Sequence, residues 1–296
     1  MSPPRFDWRL YSLIAVMVLI WSVNYIVGKI ALRTFPPLLL ASFRTTLAAL
    51  FILPVYWWKR RRERVPELWR GGEGRSVVLI ALFGVALNQV LFILGLSRTS
   101  VAHSALVIAV SPVLVLLLSG FLGHELVSRW KMLGMAIAVA GVAVLNLAPS
   151  KLRGASILGD SLTFLAALTF ALYTVTSKQL AARHGALTLT TFAYLGGALM
   201  LAPVTLWLGW SFAFSATTAA GWLSVAFMAA FPSVLCYLIY SHALARIPAS
   251  RVSAFSYLQP LIAGAVAVPV LGEPITSALA AGGALVLTGV CITERG

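Results

Sequence analysis

The chain has 296 residues, of which 60% are hydrophobic and 10% charged, and it carries a net charge of +14 at pH 7. Its apolar residues come in repeated runs of about 20, the length that crosses about 30 Å of hydrocarbon, which excludes a water-soluble globular domain. Nucleic-acid binding is excluded as well, because the basic run KRRRERV from Lys59 has no folded domain to present it.

Charges, turn residues and Pro/Gly boundaries predict ten spans, near 10–32, 37–58, 76–97, 101–122, 130–147, 157–180, 188–208, 220–243, 250–271 and 276–293. Their apolar residues are continuous rather than alternating, which argues for helices and against a barrel. The expected fold is an all-α polytopic membrane protein with ten transmembrane helices. The longest connection, Lys59 to Arg75, is too short for a soluble domain, so any activity resides in the bundle.

The first span is longer than a signal-peptide core and no small-residue cleavage site follows, so it is expected to stay as a helix. Its run WSVNYIVGKI carries Trp21, Asn24, Tyr25 and Lys29, polar groups that must face something other than lipid. The second span contains Arg44, roughly two turns from its outer end. Arg44 is expected to snorkel outward or make a structural hydrogen bond; attraction of anionic substrate groups is the other reading. The third span has Asn88 and Gln89 at its middle, and the fourth has Ser111 and Pro112 there, with His103 near its start.

The sixth span carries Phe170, Tyr173 and Thr174 at mid-depth, the eighth Cys236 and Tyr237, and the ninth Tyr257, Gln259 and Pro260. Pro112 and Pro260 each remove a backbone hydrogen bond and obstruct the carbonyl four residues earlier, at Ile108 and Ser256. Those carbonyls either edge a cavity or sit in kinks satisfied by Ser111 or Ser253. The fifth and tenth spans carry Gly134, Gly141, Gly282 and Gly289 and almost no polar side chains, as expected of close-packed scaffold or of a pairing face compatible with a homodimer.

Basic residues are distributed sixteen to five between the two sides if the N-terminus is cytoplasmic, with Arg44 inside the second span. By the positive-inside rule both termini are expected inside, with membrane lipids around the spans. Cys236 and Cys291 fall within spans and imply neither a disulfide framework nor a metal site.

The chain also matches itself. At an offset of 149, Lys29 meets Lys178, Pro54 meets Pro203 and Trp58 meets Trp207; at 148, Arg98 meets Arg246, Pro112 meets Pro260 and Glu125 meets Glu273. Matches among such scarce residues predict two five-helix repeats, residues 1–149 and 150–296. Five is odd, so the second repeat must be inverted, an architecture that places a substrate site near the midplane.

All eight acids, among them Glu125, Asp160 and Glu273, fall in loops or at span ends, so no carboxylate is expected to be buried. Uniport or exchange is therefore expected rather than a proton relay. No paired carboxylates, metal-ligand cluster or phosphate-cradling loop occurs, so neither an enzyme nor a cofactor or metal is expected.

The segments WSVNYIVGKIAL, PPLLLASFRTTLAALFILP and TSVAHSALVIAVSPVLVLLLSGFLGHELVSRWKMLGMAIAVAGVAVL, with the second copy SAFSYLQPLIAGAVAVPVLGEPITSALAAGGALVLTGV, resemble EamA-type members of the drug/metabolite transporter superfamily. The most specific parts are the proline-centred helices ending in LGHE and LGEP; His124 separates Gly123 from Glu125, a departure from the usual pair. The resemblance implies an inner-membrane exporter of amino acids or related metabolites, working by alternating access around a cavity lined by helices 1, 3, 4, 6, 8 and 9. Multidrug, nucleoside or sugar-phosphate transport is the alternative, followed by a channel or an intramembrane enzyme. Glu125 and Glu273, the latter with Pro274, look like N-terminal caps of helices 5 and 10. The expected substrate-binding residues are Trp21, Asn24, Tyr25, Asn88, Gln89, Ser111, Tyr173, Tyr237, Tyr257 and Gln259, with helix breaks at Pro112 and Pro260.

Overall fold

A computed structural model describes residues 7–62, 73–123, 128–147, 156–271 and 277–295. Every regular element among them is helical. In chain order the helices are α1 (Trp8–Ala31), α2 (Pro37–Arg62), α3 (Gly74–Arg98), α4 (Val101–Phe121), α5 (Arg129–Leu147), α6 (157–184), α7 (186–210), α8 (Ala219–Leu244), α9 (249–271) and α10 (Ser277–Arg295). Stretches long and apolar enough to cross a membrane are α1, α2, α3, α4, α8 and the continuous run of α6 and α7. Within that run only Gly185 leaves helical geometry, at φ 77° and ψ 159°, a conformation that favours glycine and turns α7 away from α6.

Side-chain caps set several of the starts. Asp7 accepts from the Leu10 N–H at 3.2 Å, Ser100 from His103 at 3.1 Å, Ser156 from Gly159 at 2.9 Å and Thr218 from Gly221 at 3.2 Å. Trp57, Trp58, Trp207 and Trp210 stand exposed near helix ends, where amphipathic rings suit the membrane interface.

Four helices depart from regular α geometry, in matching pairs. A π-helix over Leu82–Leu87 lies inside α3 and another over Ala229–Leu235 inside α8. α4 breaks at Ala109 and Val110, just before Pro112, and α9 passes through a 3₁₀ turn at Phe255–Tyr257, just before Pro260. Each pair coincides at the 148-residue offset of the sequence match. Such interruptions free backbone groups that a lipid-facing segment could not leave open.

The glycine faces of α5 and α10 meet each other. A Cβ on Gly134 would lie 2.2 Å from the Gly289 carbonyl oxygen, and one on Gly141 would lie 2.8 Å from that of Gly282. Backbone therefore approaches backbone along this seam, and the expected pairing face pairs α5 with α10. The caps expected at Glu125 and Glu273, with His124 and Pro274, lie outside the described residues.

One expectation is corrected here. Asp160, in the first turn of α6, is buried, so a carboxylate does lie inside the bundle. Thr99 donates to it at 2.6 Å and His103 Nδ1 lies 3.3 Å away, joining the α3–α4 connection to α6. Placement at a helix start gives the carboxylate favourable dipole and hydroxyl partners, which is what allows its burial. Lys178, the repeat partner of Lys29, donates to the carbonyls of Leu244 at 2.6 Å and Ile247 at 2.5 Å, tying off the C-terminus of α8.

Candidate functional site

The irregular parts of α8 and α9, the residues flanking the break in α4 and the turn of α3 that follows its π-helix converge with α1, α2 and α6 on a cavity of about 570 Å³, counting the space open to solvent. Its lining is Trp21, Asn24 and Tyr25 of α1, Arg44 of α2, Asn88, Gln89 and Phe92 of α3, Ile108 and Ser111 of α4, Phe170 of α6, Pro232 and Tyr237 of α8, and Ser256 and Gln259 of α9. The walls are mostly aromatic and aliphatic, with a few polar groups converging, the usual makeup of a small-molecule site.

Local backbone chemistry explains how these side chains are held. In α8, Pro232 has no N–H to give the Met228 carbonyl, which instead accepts from Ser233 Oγ at 2.8 Å and Arg44 Nη2 at 3.3 Å. Arg44 Nη2 also donates to Ser233 Oγ at 2.9 Å. The Pro232 carbonyl accepts from Trp21 Nε1 at 3.1 Å, and the Gly84 carbonyl accepts from the Tyr237 hydroxyl at 2.7 Å. In α4 the Ile108 carbonyl left by Pro112 accepts from Ser111 Oγ at 2.6 Å, so Ser111 closes that break locally.

Further bonds cross between helices. Tyr25 donates to Gln259 Oε1 at 3.2 Å, and Asn88 Nδ2 donates to the Ala166 carbonyl at 2.8 Å. Two lining side chains keep buried atoms without a partner: Asn24 at Oδ1, and Arg44 at Nε and Nη1.

Most residues expected from the sequence meet here, and some do not. Trp21, Asn24, Tyr25, Asn88, Gln89, Ser111, Tyr237 and Gln259 line the cavity. Tyr173 does not; its ring packs 5.5 Å from that of Tyr237 and 5.8 Å from that of Phe170, and its hydroxyl lies 3.2 Å from Ser241 Oγ. Tyr257 does not either, and sits in a small cluster with Ala109 and Val286. Pro112 and Pro260 lie behind the wall, and the residues four positions before them, Ile108 and Ser256, form it.

Of the two forms expected for Arg44, the structure shows the structural hydrogen bond. It does not snorkel, being 2% exposed and turned inward onto α8. Pro232 was not among the expected residues, although a proline at the centre of the eighth span, four residues after Met228, was the available signal. Among the described residues no group of three or more His, Cys, Asp or Glu could hold a metal ion.

The sequence matches the EamA-like transporter family twice, over residues 8–147 and 157–295. The chain belongs to the EamA-like transporter family. It is thus a multi-pass membrane transporter rather than an enzyme. An uncharacterized transporter of Archaeoglobus fulgidus is 29% identical over 290 residues, covering 96% of this chain and 97% of that one. A probable amino-acid metabolite efflux pump of Salmonella typhimurium is 26% identical over 293 residues, covering 95% and 93%. A solved crystal structure, 21% identical, shares the fold with a TM-score of 0.70 over 97% of this EamA-like chain and 96% of its own. The two family matches divide the chain between α5 and α6, so the cavity draws on both matched segments.

Proposed function

We propose that this EamA-like protein is a secondary transporter that exports amino acids or related small, partly apolar metabolites across the inner (plasma) membrane. Two inverted five-helix repeats, with all ten helices crossing the bilayer and both termini cytoplasmic, rock about the cavity to give alternating access. The observation that carries this reading is the cavity itself, placed where paired helix breaks from both matched segments meet. The similarity to a probable amino-acid metabolite efflux pump of Salmonella typhimurium supports the choice of amino acids.

Transport is proposed to be uniport or exchange. Asp160 is buried, but it is bonded to Thr99 and set beside His103, away from the cavity lining, and no lining residue is acidic. A carboxylate that couples protons to substrate would need access to the transport path.

The test is a counterflow screen of amino acids and other metabolites against the purified protein in liposomes. Saturable counterflow of an amino acid, lost in Asn24→Ala, Gln89→Ala and Tyr237→Ala, is the expected result. Transport unchanged in all three folded variants would remove the site, and flux without saturation or counterflow would indicate a channel.

A further inference from the structure

The cavity contains one strong donor and one acceptor that the protein leaves open. Arg44 is 2% exposed and spends only Nη2 on Met228 and Ser233, leaving Nε and Nη1 without partners. Asn24 is 6% exposed and its Oδ1 has no partner. Both side chains line the same cavity.

A buried guanidinium without a counter-ion and a buried amide oxygen without a donor both cost free energy, and a bound ligand can supply what each lacks. The protein's own acids do not do so: Asp7, Glu73 and Asp160, whose side chains are described, are bonded elsewhere. Arg44 is held from one side by the Met228 carbonyl and Ser233, so its charge is fixed in place rather than free to leave the cavity.

We infer that Arg44 and Asn24 form a recognition subsite for a zwitterion. An open N–H of Arg44 Nη1 or Nε donates to the solute's carboxylate, and the solute's ammonium donates to Asn24 Oδ1. The apolar side chain then packs on the rings of Trp21, Phe92 and Phe170, which line the same space. This rests on the cavity being the transport site and narrows that reading to solutes with both groups. A lipophilic cation would meet the fixed charge of Arg44 with nothing to offset it.

The test compares each of L-leucine, L-threonine and L-phenylalanine with its carboxamide and its deaminated acid as competitors of counterflow in liposomes containing the full chain. For a transported amino acid, the parent is expected to compete at concentrations at least about tenfold lower than either analogue, the scale of a lost hydrogen bond to a charged group. Arg44→Gln should bring parent and carboxamide within about twofold while keeping the preference over the deaminated acid; Asn24→Ala should do the reverse. The inference is overturned if the wild type takes the carboxamide as well as the parent, or if Arg44→Gln leaves that ratio unchanged. Should Arg44→Gln not fold, the wild-type series still decides, and Arg44→Lys, which keeps the charge, should retain the preference. If no amino acid shows counterflow, the export reading fails separately. The unfolding temperature of the detergent-solubilised protein then decides the subsite: a rise with a parent amino acid but not its carboxamide supports it, and no difference between them overturns it.

Discussion

Gly84 and Pro232 occupy the same position in two π-helices, 148 residues apart, and each turns its carbonyl to an aromatic donor on another helix. Tyr237 of α8 donates to Gly84, and Trp21 of α1 donates to Pro232. One residue weakens the helix by lacking a side chain, the other by lacking an N–H. Both donors line the cavity, so the same two bonds that repair the backbone also fix the cavity wall.

Removing either donor should therefore cost stability as well as transport. Tyr237→Phe keeps the ring and leaves the Gly84 carbonyl unpaired, with an expected loss of about 1–3 kcal/mol. Trp21→Phe should act alike at Pro232. Thermal unfolding in detergent checks this, and an unfolding temperature equal to wild type in both variants would show that the bonds contribute nothing.

The α5–α10 seam should reject even one methyl group. In Gly134→Ala the new Cβ would sit 2.2 Å from both the Gly289 carbonyl oxygen and Thr293 Oγ1, so backbone has to move, at an expected cost of about 1–3 kcal/mol. Gly283→Ala on α10 is the control. Its Cβ would meet only the side-chain end of Leu106, Cδ2 at 3.4 Å and Cδ1 at 3.9 Å, and the expected effect is a few tenths of a kcal/mol, about the size of an ordinary substitution away from tight packing. Equal unfolding temperatures for the two variants would refute the difference.

Asp160 should prove structural. Asp160→Ala leaves Thr99 and His103 without their buried acceptor, and the expected loss is about 1.5–3 kcal/mol. In a double-mutant cycle, His103→Ala and Asp160→Ala should couple by at least about 0.5 kcal/mol. An imposed pH gradient should drive no uphill transport in liposomes; accumulation that disappears in Asp160→Asn would assign the residue to coupling instead.

A pH effect is expected at the α6–α7 turn. Burial pushes the Glu73 carboxyl up, but bonds from His184 and from Arg183 at 2.9 Å, with the charge of both, outweigh it and hold Glu73 below the usual carboxylate range. A carboxyl depressed in the folded state adds stability above its unfolded value and loses it as pH falls through the folded one. Arg183 is largely exposed, so the contribution at pH 7 should stay under about 1 kcal/mol. Glu73→Gln should unfold at a lower temperature than wild type near neutral pH, and the gap should close in acid. A gap that is constant with pH would exclude the ion pair as its source.

The helices were legible because each is a long apolar run, several with a capping residue at the start, as at Ser100 and Ser156. Asn24, Gln89 and Gln259 were legible as cavity candidates because amides at mid-span stand out against an apolar background. Asp160 was misread, and Arg44 was left between snorkelling and a structural hydrogen bond, for one reason: their burial depends on partners far along the chain, Thr99 in one case and Met228 in the other, and spacing does not reveal these. The π-helices escaped because nothing in LFGVAL or AAFPSVL departs from an ordinary apolar helix except one glycine and one proline. Tyr173 and Tyr257 share the depth of the cavity but face neighbouring helices, and depth alone does not fix a rotation about the helix axis.

The backbone contact between Gly134 and Gly289 joins the last helix of one family match to the last helix of the other. Two main chains in contact have no rotamers to exchange, so this line of the molecule cannot yield by side-chain adjustment. Any motion of one matched segment against the other must either slide the two helices along each other or turn about them. In the rocking proposed above the seam would serve as the axis, so a label pair placed across it should keep its distance while pairs across the cavity change theirs.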